Sequence, residues 1–316
     1  MRRTLVILLG ALVLTTGGFI AATWAPDRTV AELQPKWAPA PSRFIAIRGM
    51  QAHVRDEGPR EDPEPIVLLH GTSSSLHTWD GWADALRSTR RVIRMDLPGF
   101  GLTGPAPDQD YTIGSYVRFV QAVLDSLGVT RSVLIGNSLG GQIAWNLALA
   151  DRARVTRLVL VDAAGFPINS TSVPIGFRLA RSAVGGKLMR YLLPRFIVES
   201  SVRNVFGDPA KVTPELVDRY YDLTLRAGNR AAIVARFQQS SAPSPVDRLP
   251  ELLMPTLILW GDRDRLIAPA TAERFRQSIP GSRVIRFAAL GHVPHEEDPV
   301  STLPPLREFL ASALTH

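Results

Sequence analysis

From Ser132 to Ala150 the chain passes from a short apolar run, through Gly136-Asn137-Ser138-Leu139-Gly140, straight into a helical pattern. Few folds tolerate such a junction. The turn from strand to helix must be so tight that flanking side chains collide, and a glycine two positions either side of the serine relieves this. The serine hydroxyl is pushed up at the C-terminal end of the strand, at the helix N-terminus. There the Leu139 N–H faces the oxyanion that develops on a carbonyl attacked by Ser138. A serine that merely capped a helix would need neither glycine.

The surrounding sequence alternates in the same way. Ile66–Leu69, a continuous apolar run, reads as a strand buried on both faces, Arg91–Met95 and Ser132–Ile135 read similarly, and Arg157–Val161, Thr256–Leu259 and Arg283–Phe287 read as further strands. Arg43–Arg48 and Ala52–Arg55 read as an opening hairpin, and Ser115–Leu127 and Gln142–Ala150 as helices. The alternation predicts a parallel sheet with helices on both faces. It breaks from about Phe166 to Ser244, where helical patterns at Ile175–Leu193, Pro214–Ala227 and Ala231–Gln239 occur without a strand. This stretch is expected to be an inserted helical lid over one end of the sheet.

A serine is a poor nucleophile unless a base takes its proton, and the base needs an orienting carboxylate. Of six histidines, His292 in Leu290-Gly291-His292 follows the last strand and overhangs the sheet edge that carries Ser138. His295 reads as a bystander. A metal held by His292 and His295 is not expected, because no third ligand stands near. The loop Trp260-Gly261-Asp262-Arg263-Asp264 supplies the acid, with Asp264 favoured and Asp262 and Asp162 as alternatives. His70-Gly71-Thr72-Ser73 follows Ile66–Leu69, and the Thr72 N–H is expected to be the second oxyanion donor beside Leu139, with His70 holding the loop. Asp96 is expected to cap its own turn, Asp96-Leu97-Pro98-Gly99-Phe100-Gly101.

At the N-terminus, Met1-Arg2-Arg3 precedes an uncharged run from Thr4 to Pro26. Its length predicts an uncleaved signal-anchor over residues 1–25, with a cleaved secretory signal as the alternative. Basic residues before the run would keep the N-terminus cytoplasmic and place the rest outside a bacterial inner membrane, on its periplasmic side. Residues 26–43, with Pro26, Pro35, Pro39 and Pro41, read as an extended tether. Only three of the 36 basic residues are lysines, and the arginines are scattered, so a nucleic-acid partner is not expected. With no cysteine, disulfides and thiolate chemistry are excluded.

The ordered motifs, from His70-Gly71 through Asp96-Leu97-Pro98-Gly99-Phe100-Gly101 and Gly136-Asn137-Ser138-Leu139-Gly140-Gly141 to Trp260-Gly261-Asp262-Arg263-Asp264 and Gly291-His292, resemble the α/β-hydrolase superfamily. The similarity runs from about Phe44 to Leu314, and the order Ser–Asp–His is the superfamily's own. The resemblance implies an eight-stranded, mostly parallel sheet with a lid after the sixth strand. A core of residues 44–165 and 245–316 and a lid of 166–244 follow. Ser138 stands where dehalogenases and epoxide hydrolases of the superfamily carry aspartate, which points to esterases, lipases and carbon–carbon bond hydrolases. Asn137 resembles the ring-cleavage-product hydrolases, but Thr72-Ser73-Ser74-Ser75 replaces their glycine-rich oxyanion loop. The expected activity is acyl-enzyme hydrolysis of a hydrophobic small-molecule ester, with no cofactor. An acyltransferase or a carbon–carbon bond hydrolase on the same triad, or a non-catalytic binding protein on this fold, are the alternatives. No oligomeric state follows from the sequence. Apolar lid residues (Ile175, Phe177, Leu188, Met189, Leu192, Leu193) are expected to face an acyl or aromatic group.

Overall fold

The computed structural model describes residues 2–167, 170–240 and 244–312, without the side chains at positions 2, 5–7, 12, 13 and 19. Parts of the expected leader, lid and C-terminal core segment thus lie outside the described residues. Eight strands form one sheet: β1 (Arg43–Ile47), β2 (Met50–Glu57), β3 (Ile66–Leu69), β4 (Val92–Met95), β5 (Ser132–Asn137), β6 (Val155–Val161), β7 (Thr256–Gly261) and β8 (Arg283–Phe287). Their order is β1-β2-β4-β3-β5-β6-β7-β8. β2 runs antiparallel to both its neighbours, and all other pairings are parallel. The opening hairpin turns on Arg48 and Gly49, both at positive φ, the geometry that matches strand twist across a two-residue loop.

The central strands β3 to β7 are buried at every position and mostly apolar because both faces are covered. Val67, Leu69, Leu134, Leu158 and Ile258 pack on one face with α4 (Ile113–Ser126), α5 (Leu139–Ala150) and α11 (Ala270–Ser278). Their strand neighbours Ile66, Leu68, Val133, Val159 and Leu257 pack on the other with Trp79, Trp82 and Leu306, from the region of α3 (Asp80–Leu86) and α13 (Pro299–Ala311). Residues 139 and 135 thus sit on elements fixed by burial from both sides.

Between β6 and β7 the described residues form five α-helices: α6 (Ile175–Arg181), α7 (Ala183–Leu188), α8 (Arg195–Val205), α9 (Pro214–Thr224) and α10 (Asn229–Gln239). The single helix expected over Ile175–Leu193 is two, because Ser182 leaves helical geometry and its hydroxyl caps Gly185. Helix α8 is additional to the patterns read from sequence. Its apolar face (Ile197, Val198, Val202) is short and flanked by arginines.

The N-terminal region requires two corrections. Residues Arg2–Thr23 form a helix, α1, yet among the described residues no helix is long and apolar enough to cross a membrane. This overturns the expected signal-anchor and the single-pass inner-membrane protein with a periplasmic domain. Within the helix, Thr15-Thr16-Gly17-Gly18 puts four small or hydroxyl-bearing residues in a row. Its end is held by protein: Trp24 bridges to Leu192 and stacks on Tyr191. The second correction is the tether. Val30–Trp37 forms α2, started by a reciprocal capping box between Thr29 and Glu32. Leu33 and Ala38 are buried against Leu102 and Leu223, and Arg28, Lys36 and the Trp37 indole all converge on Asp222. Capping and docking outweigh a proline content that in isolation favours extended chain.

Candidate active site

β5 delivers the chain to Ser138 at φ 53°, ψ −115°, a conformation an L-residue adopts only under constraint. The constraint is close packing. A Cβ on Gly136 would lie 2.2 Å from the Gly140 carbonyl carbon, and one on Gly140 would lie 2.1 Å from Leu69 O. The Ser138 N–H donates to Val161 O at 3.1 Å, and its carbonyl accepts from Gln142 and Ala164 N–H groups, both at 3.0 Å.

His292 arrives from the loop after β8. Its Nδ1 lies 2.7 Å from Asp264 Oδ2. A carboxylate oxygen can only accept there, so Nδ1 carries the proton and Nε2 keeps its lone pair. The other Asp264 oxygen accepts from the Leu266 and Ile267 N–H groups at 2.8 and 2.9 Å. Asp262 turns away to the exposed Arg286 and is not part of this group. Asp162 is part of it: its carboxylate, that of Asp264 and the His292 ring offer atoms that all lie within 4.8 Å of one another. It sits at φ 43°, fully buried, with Oδ1 accepting from the Gly261 N–H at 3.0 Å and Oδ2 without a protein donor. Burial, then the Asp264 charge, hold its pKa well above the usual carboxylate range and favour its uncharged form.

Two side chains overlooked in the sequence hold the histidine loop. The Asn137 amide donates to His292 O at 2.9 Å and to Val161 O at 3.1 Å, tying the serine turn to both neighbouring loops. The Glu297 carboxylate accepts from Gly291, Gly207 and Asp208 N–H groups, each at 2.8 Å, fastening that loop to the helical insertion. Asn137 has no local signal, since its partners lie 24 and 155 residues along the chain, and of the Glu297 partners only Gly291 is near in sequence.

Thr72 lines the cavity above Ser138, and Leu139 opens α5 beside it. Neither N–H donates to a protein acceptor among the described residues, which leaves both for an oxyanion. His70 is buried below that loop. Its Nδ1 donates to Gly71 O at 2.7 Å, and its Nε2 accepts from the Leu97 N–H at 2.9 Å. Asp96 does more than cap its own turn: it accepts from Leu76 and Leu102 N–H groups and from His53, all at 2.7 Å. His295 stacks on Trp79 at 3.9 Å and meets Thr78 at 3.1 Å.

Burial disfavours the charged imidazole at His70, His77 and His295, and His77 is lowered to about 3 from 6.5. As pH falls through 6.5 the unfolded chain gains protons at these sites while the folded chain does not. Stability is therefore lost, by at most about 1.4 kcal/mol per pH unit for each histidine. Asp162, with its raised pKa, acts in the opposite sense, one group against three. The urea midpoint should fall between about pH 7 and about pH 5. A flat or rising midpoint would refute the neutral assignment of the three rings.

Two cavities meet at Ser138. One has about 810 Å³ of empty space open to solvent and is lined by Ser138, Thr72 and His292 at its base and by Phe177, Met189, Leu193, Ile197, Val198 and Val202 above. Of the apolar residues expected to face an acyl or aromatic group, Phe177, Met189 and Leu193 line this cavity, whereas Ile175 and Leu188 are exposed and Leu192 pairs with Trp24. The second, of about 1310 Å³, shares Ser138, Thr72, Phe177 and Leu266 and extends past Gln142, Arg181 and Arg236.

A family model described as the alpha/beta hydrolase fold matches residues 64–299. The 2-hydroxymuconate semialdehyde hydrolase of Pseudomonas sp. (strain CF600) is 29% identical over 294 residues, covering 88% of this chain and 97% of that protein. A solved structure described as a membrane phospholipase A, a novel bacterial virulence factor, superposes with a TM-score of 0.73 at 25% identity, covering 98% of each chain. The meta-cleavage product hydrolase of Pseudomonas fluorescens IP01 gives a TM-score of 0.74 at 24% identity over 85% of this chain and 97% of its own, a likeness of fold.

Proposed function

The chain belongs to the α/β-hydrolase fold family and is a hydrolase of that class; from that premise we propose that it cleaves esters of long apolar acyl chains through Ser138. In this reading the Ser138 hydroxyl attacks the ester carbonyl while His292 Nε2 takes its proton. Asp264 holds the proton on Nδ1 and stabilises the imidazolium. The Thr72 and Leu139 N–H groups receive the oxyanion, each worth about 3–4 kcal/mol in related chemistry. The alcohol leaves with the proton from His292. Water, activated by the same histidine, then frees the acid. Helices α6 to α10 act as the lid that walls the acyl chain from solvent.

The observation that carries the reading is the apolar cleft rising from Ser138 and His292 between α6, α7 and α8. Each methylene buried there contributes up to about 0.8 kcal/mol. Catalytic efficiency toward p-nitrophenyl esters should therefore climb steeply from acetyl to about decanoyl, by up to about fourfold per methylene. A preference for the acetyl ester, or a flat series, would overturn it.

A second reading, carbon–carbon bond hydrolysis, is supported by the 29% identity to 2-hydroxymuconate semialdehyde hydrolase. It predicts faster turnover of that ring-cleavage product than of any ester in the series. The apolar cleft favours the ester reading.

A further inference from the structure

We propose that Arg236, assisted by Arg181, forms an anion subsite for the alcohol part of the ester, so that the substrate is a long-chain acyl ester whose alcohol carries a phosphate or a carboxylate. The proposal rests on the ester reading above.

The described residues include five buried arginines: Arg91, Arg94, Arg157, Arg230 and Arg236. The first four are ion-paired, with Asp56, Glu57, Glu64 and Asp27 respectively. Arg236, on α10, is only 9% exposed, yet no carboxylate among the described residues pairs with it. Its Nε is buried without an acceptor. A guanidinium cannot shed its charge to escape that cost, so a buried one without a counter-ion is an expensive feature of the empty fold. The neighbouring charge makes the local excess larger. Arg181 lies over the Phe237 ring at 4.8 Å and Arg236 over the same ring at 5.8 Å, and Arg181 too has no acidic partner among the described residues. Burial and then Arg181 push the Arg236 pKa below the usual arginine value.

Both arginines line the second cavity, which begins at Ser138 and also carries Gln142, Ser240 and Ser244 as polar groups. The apolar cleft takes the acyl chain. An ester carbonyl placed at Ser138 then has its alcohol side in the cavity of Arg236. A phosphate or carboxylate there supplies the missing negative charge and accepts two parallel N–H bonds from the guanidinium fork.

The test compares decanoylglycerol phosphate with decanoylglycerol, and decanoyloxybenzoate with its methyl ester, on the full chain. The native protein should prefer the anionic member of at least one pair, and the pair that shows the larger preference identifies phosphate or carboxylate as the group held. Arg236→Gln should lower the anionic-to-neutral ratio of kcat/KM by about 10- to 100-fold, as hydrogen bonds to a charged group are lost. Arg236→Lys should restore part of it, and Arg181→Gln should lower it less. Equal preference in the native protein, or equal losses for both members of a pair, would overturn the subsite. Titration of the native protein with decyl phosphate and decanol reads the site without turnover: tighter binding of decyl phosphate supports it, and equal binding overturns it. If none of the four esters is cleaved, the ester reading fails, while this titration still decides the subsite.

Discussion

Replacing Ser138 with alanine should lower kcat for a decanoyl ester by about a million-fold, the scale seen when a serine–histidine pair loses its nucleophile. The effect is this large because no other group can form the acyl-enzyme, and what remains is binding and oxyanion stabilisation alone. Ser138 makes its hydrogen bonds through the backbone, to Val161, Gln142 and Ala164, so the variant keeps the turn and the fold. Labelling by a fluorophosphonate should vanish while the melting temperature stays within a few degrees. Retention of more than a tenth of the native activity would remove Ser138 from the mechanism.

The second large effect concerns the carboxyl pair. Asp264→Asn should cost about 10⁴-fold in kcat, the loss known from the serine-protease triad when the orienting carboxylate becomes an amide. Asp162→Asn should cost less than about tenfold, because burial and the Asp264 charge already favour the uncharged form of Asp162 and the amide preserves its shape. The two sites are coupled. Once Asp264 loses its charge, the like-charge repulsion that adds to burial in raising the Asp162 pKa is gone, so that pKa falls and Asp162 ionises more readily beside the imidazole. Activity of Asp264→Asn should therefore recover partly as pH rises, and the double variant should lose that recovery. A double variant indistinguishable from Asp264→Asn at all pH values would show that Asp162 never carries charge for His292.

Much of this arrangement was legible in the chain. The central strands are mostly apolar, the serine turn carries its glycines, and each needs only local sequence to be seen. The order of the motifs was sufficient to predict the sheet and its direction. The N-terminal run was read as a membrane anchor from length and apolarity alone, whereas among the described residues no helix is long and apolar enough to cross a membrane, and Trp24 at its end docks on Tyr191 and Leu192. The proline-rich stretch misled because a capping box and a packed Leu33 count for more than composition.

What the sequence by itself determined is whatever depends on neighbours within a few residues: the buried strands, the strained serine turn and the loops that follow each strand end. Only the tertiary structure decided between Asp264, Asp262 and Asp162 as partner of His292, and it brought Asn137 and Glu297 onto the histidine loop. It alone distinguished Arg236 from the other buried arginines. A charge is paired or unpaired according to which distant acid the fold carries within about 4 Å, and Coulomb attraction at that range depends on position in space and burial, not on position in the chain.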